Sequence, residues 1–354
     1  MIRKQAGQVL VAGFVGLAPG ATLLRRAAAG ELGGFILFKR NACPVPELAE
    51  RNRELIAAFP QATPPLMVVD QEGGRVRRLG EPVLQLPPMR ALGRRADLAL
   101  TQTVARVHAA QLRALGFSLN TAPVLDVDTN PDNPVIGDRS FSRTPEAVIA
   151  QALALARGMA EAGLASCGKH FPGHGDTDLD SHLALPRVRH PRGRLEQVEF
   201  APFAALATEL PAMMTSHVVF EVVDPERPAT LSPDIATTLL RDHFGFSGLL
   251  LSDDMEMGAL AAYGDAGATA VAAIAAGCDQ LLMCKEEERF EAAYDALVRR
   301  AEADPEFANR LAQAAERSLQ LRRRYVPEVT ASTASEQAFA RESEALQERL
   351  TECA

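Results

Sequence analysis

The chain has 354 residues, of which 47% are hydrophobic and 23% are charged. This is ordinary globular composition, and the length suffices for one large domain or two small ones. A net charge of −8 provides no global basic field to attract nucleic acid or an anionic membrane surface. No run approaches the roughly 20 apolar residues that span a bilayer. We therefore expect neither nucleic acid nor a membrane as a partner.

The five cysteines are widely spaced and include no CxxC pair, which argues against a zinc knuckle or a disulfide framework. A reducing compartment fits this pattern best. At the N-terminus, Arg3 and Lys4 precede an apolar stretch over residues 9–17, an arrangement that weakly resembles a secretion signal. Gly13 and Gly16 interrupt the stretch, and cleavage after it would remove the first predicted strand. We predict a cytoplasmic protein.

Short apolar runs rich in Val, Leu, Ile and Phe alternate with longer Ala, Leu and Arg segments of helical spacing. That alternation is typical of βα units and a parallel sheet. The runs predicted to be strands are residues 9–15, 34–38, 66–70, 118–125, 165–169, 212–216, 249–253 and 279–283. Helical patterns cover residues 46–59, 98–115, 145–162, 233–244, 267–276, 286–303 and 304–325. Eight strands in this order predict a single closed (β/α)8 barrel of the TIM type, with an open doubly wound sheet as the alternative.

Polar residues at the strand ends favour the barrel. Four of them lie at or just beyond the C-terminal ends of different predicted strands: Asp70, His170, His217 and Asp253. A barrel brings such ends to one mouth, where its active site is built, whereas an open sheet spreads them along an edge. No GxGxxG follows an early strand, which weakens the nucleotide-binding version of the open sheet. We predict a catalytic barrel over residues 1–325. Residues 326–354 form an Ala/Glu-rich extension, expected to be helical or partly disordered.

Two polar loops are rich in turn-forming residues. Residues 70–78 (DQEGGRVRR) contain a Gly pair that lets the backbone turn sharply near a ligand, and arginines that supply hydrogen-bond donors. Residues 130–141 contain two Pro-based turns and then present Arg139. Taken alone, either segment could be a polar loop without a binding role.

Residues 168–182 are the richest segment, with three histidines and three aspartates between positions 170 and 182. One interpretation is a zinc site formed by His170, His174 and His182. The other is a long Gly- and Pro-rich loop that brings an Asp–His pair to the barrel mouth. Asp180 and His182 are two residues apart, close enough for the carboxylate to orient the imidazole and support its charged form.

The predicted strand over residues 249–253 is very apolar and leads into two carboxylates, Asp253 and Asp254. A barrel keeps its nucleophile at this position. A role as the cap of the next helix could explain one of the two aspartates but not both. Because adjacent side chains of an extended strand point in opposite directions, we expect only one of them to face the barrel centre.

Four motifs, in their order and separation, resemble the NagZ-type β-N-acetylglucosaminidases of glycoside hydrolase family 3: DQEGGRVRR, NPVIGDRSF, KHFPGHGDTDLDSH and SDDMEMGA. The resemblance implies that Asp253 is the nucleophile, His182 the general acid/base and Asp180 the partner of His182. It also implies five residues that bind the terminal N-acetylglucosamine: Asp70, Arg78, Arg139, Lys169 and His170. His174 and His217 lie in matching motifs and are expected only to support the site or shape its loops.

The resemblance further implies removal of nonreducing terminal N-acetylglucosamine by a monomeric enzyme without a cofactor or metal. Muropeptides of peptidoglycan recycling are the expected natural substrates. Many two-domain relatives take their acid Glu from a second domain, which is not expected here, and an imidazole with a pKa raised by a neighbouring carboxylate can replace it. The alternatives are a β-glucosidase-like hydrolase, a glycoside phosphorylase, a metal-dependent hydrolase and a noncatalytic sugar-binding barrel.

Overall fold

A computed structural model describes residues 1–179 and 185–351. At its centre, eight parallel strands form a closed barrel: β1 (Leu10–Ala12), β2 (Gly34–Leu37), β3 (Leu66–Val69), β4 (Leu119–Asn120), β5 (Ala165–Phe171), β7 (Ala212–Thr215), β9 (Leu249–Asp254) and β10 (Gln280–Met283). Outside the barrel, β6 (Arg187–Val188) and β8 (Val219–Phe220) pair in parallel. The predicted (β/α)8 barrel is confirmed, and each predicted strand overlaps one barrel strand.

The barrel strands are predominantly apolar because both of their faces are covered, and polar side chains such as Lys169, His170 and Asp253 lie toward the C-terminal ends of their strands. All of their residues are buried except the last two of β9. One cluster draws a buried side chain from every barrel strand and fills the interior: Val11, Ile36, Val68, Leu119, Cys167, Met214, Leu251 and Leu282. Other strand side chains, such as Leu10, Phe35 and Met67, belong to a larger cluster shared with the surrounding helices.

The outer layer consists of α1 (Ile2–Gln8), α2 (Ala21–Ala29), α3 (Val45–Ala57), α4 (Met89–Arg95), α5 (Leu98–Ala114), α6 (Pro145–Glu161), α7 (Arg192–Gln197), α8 (Ala201–Leu206), α9 (Ala266–Ala276), α10 (Glu287–Ala303), α11 (Pro305–Arg324) and α12 (Thr333–Thr351). A π-helical segment spans Asp234–His243. An aspartate caps the first turn of α5, α9 and α11 by accepting a backbone N–H: Asp97, Asp265 and Asp304. These caps explain why the three helices begin where they do.

The C-terminal extension contributes α12, which packs against α3 and α5. The division of the chain at residue 325 stays a prediction. Within the described part of the chain, no helix is long and apolar enough to cross a membrane.

Candidate active site

The C-terminal ends of the barrel strands surround a cavity of about 170 Å³. Its walls include six of the eight predicted site residues: Asp70, Arg78, Arg139, Lys169, His170 and Asp253. The other two, Asp180 and His182, fall within residues 180–184 and so lie outside the described residues. A larger cavity, of about 520 Å³, opens at the opposite end of the barrel and is lined by other residues.

Asp70 directly follows β3 and carries a network of donors. Arg78 Nη2 donates to Asp70 Oδ2 at 2.7 Å, the Thr121 hydroxyl donates to Oδ1, and Lys169 Nζ lies 3.6 Å from Oδ1. Burial alone would raise the pKa of Asp70, but the positive charges of Lys169 and Arg78 hold it well below its usual range. Asp70 is therefore an anion at the cavity wall, able to accept hydrogen bonds from sugar hydroxyls.

Glu72 is a second buried carboxylate, which the sequence analysis missed. It lies 2.5 Å from Lys169 Nζ and accepts from Arg139 Nη2 and Nε at 2.8 and 2.9 Å. Burial alone would raise the pKa of Glu72, but Arg139 and Lys169 lower it to about 2. Residues 73–74 turn the chain behind it with φ of 122° and 53°, which glycine adopts readily. The spacing from Asp70 was the available signal, since alternate residues of an extended segment point to the same side.

Asp126 is a third carboxylate that the sequence analysis missed. It is fully buried, its Oδ2 lies 2.7 Å from His170 Nδ1, and its Oδ1 accepts the His174 N–H at 2.7 Å. Burial alone would raise the pKa of Asp126, but the His170 ring and the contacts to His174 hold it below its usual value. The His170 ring is thereby oriented with Nε2 at 3.4 Å from Arg139 Nη2. Both ring nitrogens of His170 thus face protein groups, which disfavours the zinc alternative.

The two other histidines of these motifs contact neighbouring side chains and backbone. His174 Nδ1 lies 2.7 Å from Thr177 Oγ1, and burial lowers the pKa of His174 to about 4, so its ring is neutral near pH 7. His217 Nδ1 lies 2.8 Å from Thr230 Oγ1, and its Nε2 lies 2.9 Å from the Asp254 carbonyl oxygen. His217 therefore fixes the backbone at the end of β9.

Asp253 and Asp254 end β9, and both line the cavity. The structure thus differs from the expectation that only one would face the centre. The pairing of β9 with β10 shifts register here, because Gln280 pairs with Leu251 and Leu282 pairs with Asp254. Such an irregularity breaks the strict alternation of side chains.

The two carboxyl groups differ in charge. Burial alone would raise the pKa of Asp253, but His170, His217 and the backbone N–H of Asp254 lower it below its usual value. Burial raises the pKa of Asp254 to about 6. Asp253 therefore stays ionised well below neutral pH, whereas Asp254 takes up a proton as the pH falls through about 6.

The chain on either side of residues 180–184 is tied together. His190 Nε2 hydrogen-bonds Asp176 Oδ2, which joins the segment before residue 180 to the segment after residue 184. Asp176, His190 and Glu199 place three possible metal-ligand atoms within 4.8 Å of one another. Glu199 also accepts a hydrogen bond from Arg194 at 2.9 Å. The Asp176–His190 hydrogen bond thus links the two described segments, whereas Glu199 Oε2 is buried and has no hydrogen-bond partner among the described residues.

The chain is similar in sequence to proteins of one family. Residues 1–321 match the model of the glycosyl hydrolase family 3 N-terminal domain. A beta-hexosaminidase of Methylococcus capsulatus is 43% identical over 290 residues, which are 81% of this chain and 85% of that protein.

Two solved structures are similar over most of the chain. A family 3 beta-N-acetylglucosaminidase from Paenibacillus has a TM-score of 0.89 and 37% identity, covering 98% of this chain and 68% of that one. NagZ from Neisseria gonorrhoeae, in complex with N-trifluoroacetyl-D-glucosamine, has a TM-score of 0.71 and 32% identity, covering 88% of this chain and 98% of that one.

Proposed function

The chain belongs to glycosyl hydrolase family 3, and from this premise we propose that it is a retaining β-N-acetylglucosaminidase that removes nonreducing terminal N-acetylglucosamine. The observation that carries the proposal is the ionised Asp253 on the wall of a polar cavity at the barrel mouth. The beta-hexosaminidase activity named for the Methylococcus relative and the glucosamine analogue bound by the Neisseria protein support the substrate class.

The cavity offers the groups that a terminal sugar requires. We assign sugar binding to five of its residues, which together supply one carboxylate acceptor, three cationic donors and an imidazole: Asp70, Arg78, Arg139, Lys169 and His170. Arg78 is paired with Asp70, and both Arg139 and Lys169 are paired with Glu72. These cations therefore carry little unbalanced charge with which to attract phosphate. Charge balance thus favours water over phosphate as the acceptor.

The proposed reaction has two steps. In the first, Asp253 attacks the anomeric carbon while His182, oriented by Asp180, gives its proton to the leaving oxygen. In the second, the neutral imidazole takes a proton from water, whose oxygen attacks the same carbon and releases Asp253. His182→Ala should therefore lose ~10²–10⁴-fold more activity on disaccharides than on aryl glycosides with good leaving groups. Equal losses on both substrates would argue against the proton-donor role.

We assign the enzyme to the recycling of peptidoglycan, with cytoplasmic muropeptides as substrates. The four cysteines of the described residues are all unpaired, which suits a reducing compartment. We propose that a monomer is active, since one chain carries all the residues assigned to the site.

Substrate selectivity tests the proposed function. Turnover of an aryl β-N-acetylglucosaminide should exceed that of the matching aryl β-glucoside by at least ~10²-fold, because a site built around the acetamido group loses contacts when it is missing. In tens of millimolar phosphate the product should remain free N-acetylglucosamine. Preference for the glucoside would instead identify a β-glucosidase-like hydrolase, and accumulation of N-acetylglucosamine 1-phosphate would identify a phosphorylase.

Trapping the intermediate tests the nucleophile. A slow 2-fluoro substrate should leave a covalent sugar on the peptide that contains residues 252–257, and fragmentation should place it on Asp253. A label on Asp254 would overturn the assignment.

A further inference from the structure

The C-terminal helix α12 lies beyond residue 321, where the match to the family ends. It is firmly attached to the barrel by buried apolar side chains: Phe339, Leu346 and Leu350. Just before the helix, the backbone N–H groups of Thr330 and Ala331 both donate to the Ala114 carbonyl oxygen, at 2.9 and 2.8 Å. The helix is thus anchored to the end of α5 and has a defined position relative to the barrel.

One face of α12 contacts the loop over residues 79–86. Ser343 Oγ donates to the Pro82 carbonyl oxygen at 3.0 Å. Gln111 of α5 joins the same two elements, because its Oε1 accepts the Leu84 N–H at 2.7 Å and its Nε2 lies 3.4 Å from the Phe339 carbonyl oxygen. Gln111 is only 1% exposed, so solvent has little access to replace these contacts.

The other end of the same loop holds a sugar-site residue. Gln71 Nε2 donates to the Leu79 carbonyl oxygen at 3.0 Å, and Gln71 Oε1 accepts the Arg78 N–H at 2.7 Å. Gln71 directly follows Asp70, whose carboxylate binds the Arg78 guanidinium. A displacement of residues 79–86 would therefore move both the backbone and the side chain of Arg78.

We propose that α12 positions the sugar site, acting through Ser343 and Gln111 on the loop over residues 79–86, which directly follows Arg78. Neither residue lines the cavity, so both are positioning residues rather than catalytic ones. The expected effect on KM and kcat rests on the proposed function, because it assumes that Arg78 binds the sugar. Arg78 would bind the sugar in the ground state and the transition state alike, so its displacement should raise KM and leave kcat nearly unchanged.

Substitutions of Ser343 in the full chain test the proposal. Ser343→Asp places a carboxylate against the Pro82 carbonyl oxygen, Ser343→Ala removes the hydrogen bond, and Ser343→Thr keeps a hydroxyl. For Ser343→Asp we expect KM on an aryl β-N-acetylglucosaminide to rise at least about threefold with kcat within about twofold. We expect a smaller rise for Ser343→Ala and wild-type values for Ser343→Thr. Thr351→Ala is the matched control, because the Thr351 hydroxyl donates to the Gln347 carbonyl oxygen of the same helix.

Hydrogen exchange of the substrate-free protein gives a readout that does not depend on activity. Backbone amides of residues 79–86 should exchange at least about tenfold faster in Ser343→Asp, with the barrel strands unchanged. If Ser343→Asp does not fold, Ser343→Ala carries the comparison. Folded variants with wild-type KM and wild-type exchange would overturn the proposal. A wild-type protein inactive on N-acetylglucosaminides would instead overturn the proposed function, and the exchange data would still decide the role of α12.

Discussion

Two carboxylates at the proposed sugar site, Asp70 and Glu72, have cationic partners. Asp70 pairs with Arg78, and Glu72 pairs with both Arg139 and Lys169. Removing one partner from such a pair leaves an uncompensated buried charge, which costs far more than the loss of an exposed ion pair. The ion pairs at the proposed sugar site are therefore also expected to determine how stability depends on pH.

Glu72 should make the protein less stable in acid. Its pKa falls from 4.5 to about 2 on folding, which corresponds to on the order of 3 kcal/mol of stability at neutral pH. Because the folded pKa is the lower one, this stability is present above pH 4.5 and is lost as the pH falls toward 2. Urea unfolding should show that the wild type has a higher free energy of unfolding than Glu72→Gln. This difference should be largest at neutral pH and should shrink as the pH falls from 4.5 toward 2.

Glu50→Gln is the matched control for this measurement. Glu50 pairs with Arg53 on the surface of α3, and both side chains are about half exposed. Its loss should change the unfolding free energy by less than about 1 kcal/mol. A difference in unfolding free energy between the wild type and Glu72→Gln that does not vary with pH would contradict the lowered pKa of Glu72.

At the scale of elements, the segment after β5 packs its backbone directly on the segment after β4. A Cβ atom on Gly175 would lie 1.8 Å from the Val127 carbonyl oxygen. Asn130 N also donates to the Gly175 carbonyl oxygen at 3.4 Å. This close approach positions the chain that leads into residues 180–184, which carry the proposed acid/base pair.

Gly175→Ala should therefore displace the chain that leads into residues 180–184. We expect kcat on an aryl N-acetylglucosaminide to fall at least about tenfold, with a loss of ~1–3 kcal/mol in unfolding free energy from overpacking. Gly193→Ala in α7 is the matched control, since an added Cβ there meets no atom within 4 Å. Gly193→Ala should keep wild-type kcat and stability. Full activity in Gly175→Ala would show that the close packing has no role in placing the loop.

At the scale of the whole molecule, the first elements of the chain close the barrel. β1 pairs with β2 on one side and with β10 on the other. From α11, the fully buried Arg322 donates to the carbonyl oxygens of Gly33 and Pro64 at 3.3 and 3.0 Å and to the Gln8 side chain. The last barrel helix is thus tied to the first helix and to the bases of β2 and β3.

A chain without residues 1–29 should not fold, because it lacks α1, β1 and α2 and leaves β2 and β10 with unpaired edges. Circular dichroism should show no cooperative thermal transition, and hydrolysis of the aryl substrate should be undetectable. A shortened chain that melts cooperatively and retains activity would contradict this expectation and would revive the secretion-signal interpretation of the N-terminus.

The sequence by itself was sufficient for the barrel, the family and six of the polar residues that line the cavity. Buried parallel strands are apolar on both faces, so their positions appear as local runs, and Asp70, His170 and Asp253 stand out where such runs end. The comparisons confirm the expected family. The assigned catalytic roles stay predictions, and the pair Asp180 and His182 lies outside the described residues.

Only the tertiary structure decided which groups partner one another. Glu72 and Asp126 gain their importance from side chains on distant segments, and no local pattern records such contacts. The joint exposure of Asp253 and Asp254 to the cavity follows from how β9 pairs with β10, a property of the closed barrel. The position of α12 on the loop over residues 79–86 likewise depends on how α12 packs against α3 and α5. Periodicity and motifs describe near neighbours in the chain, whereas charge pairing and register depend on contacts between residues far apart in it.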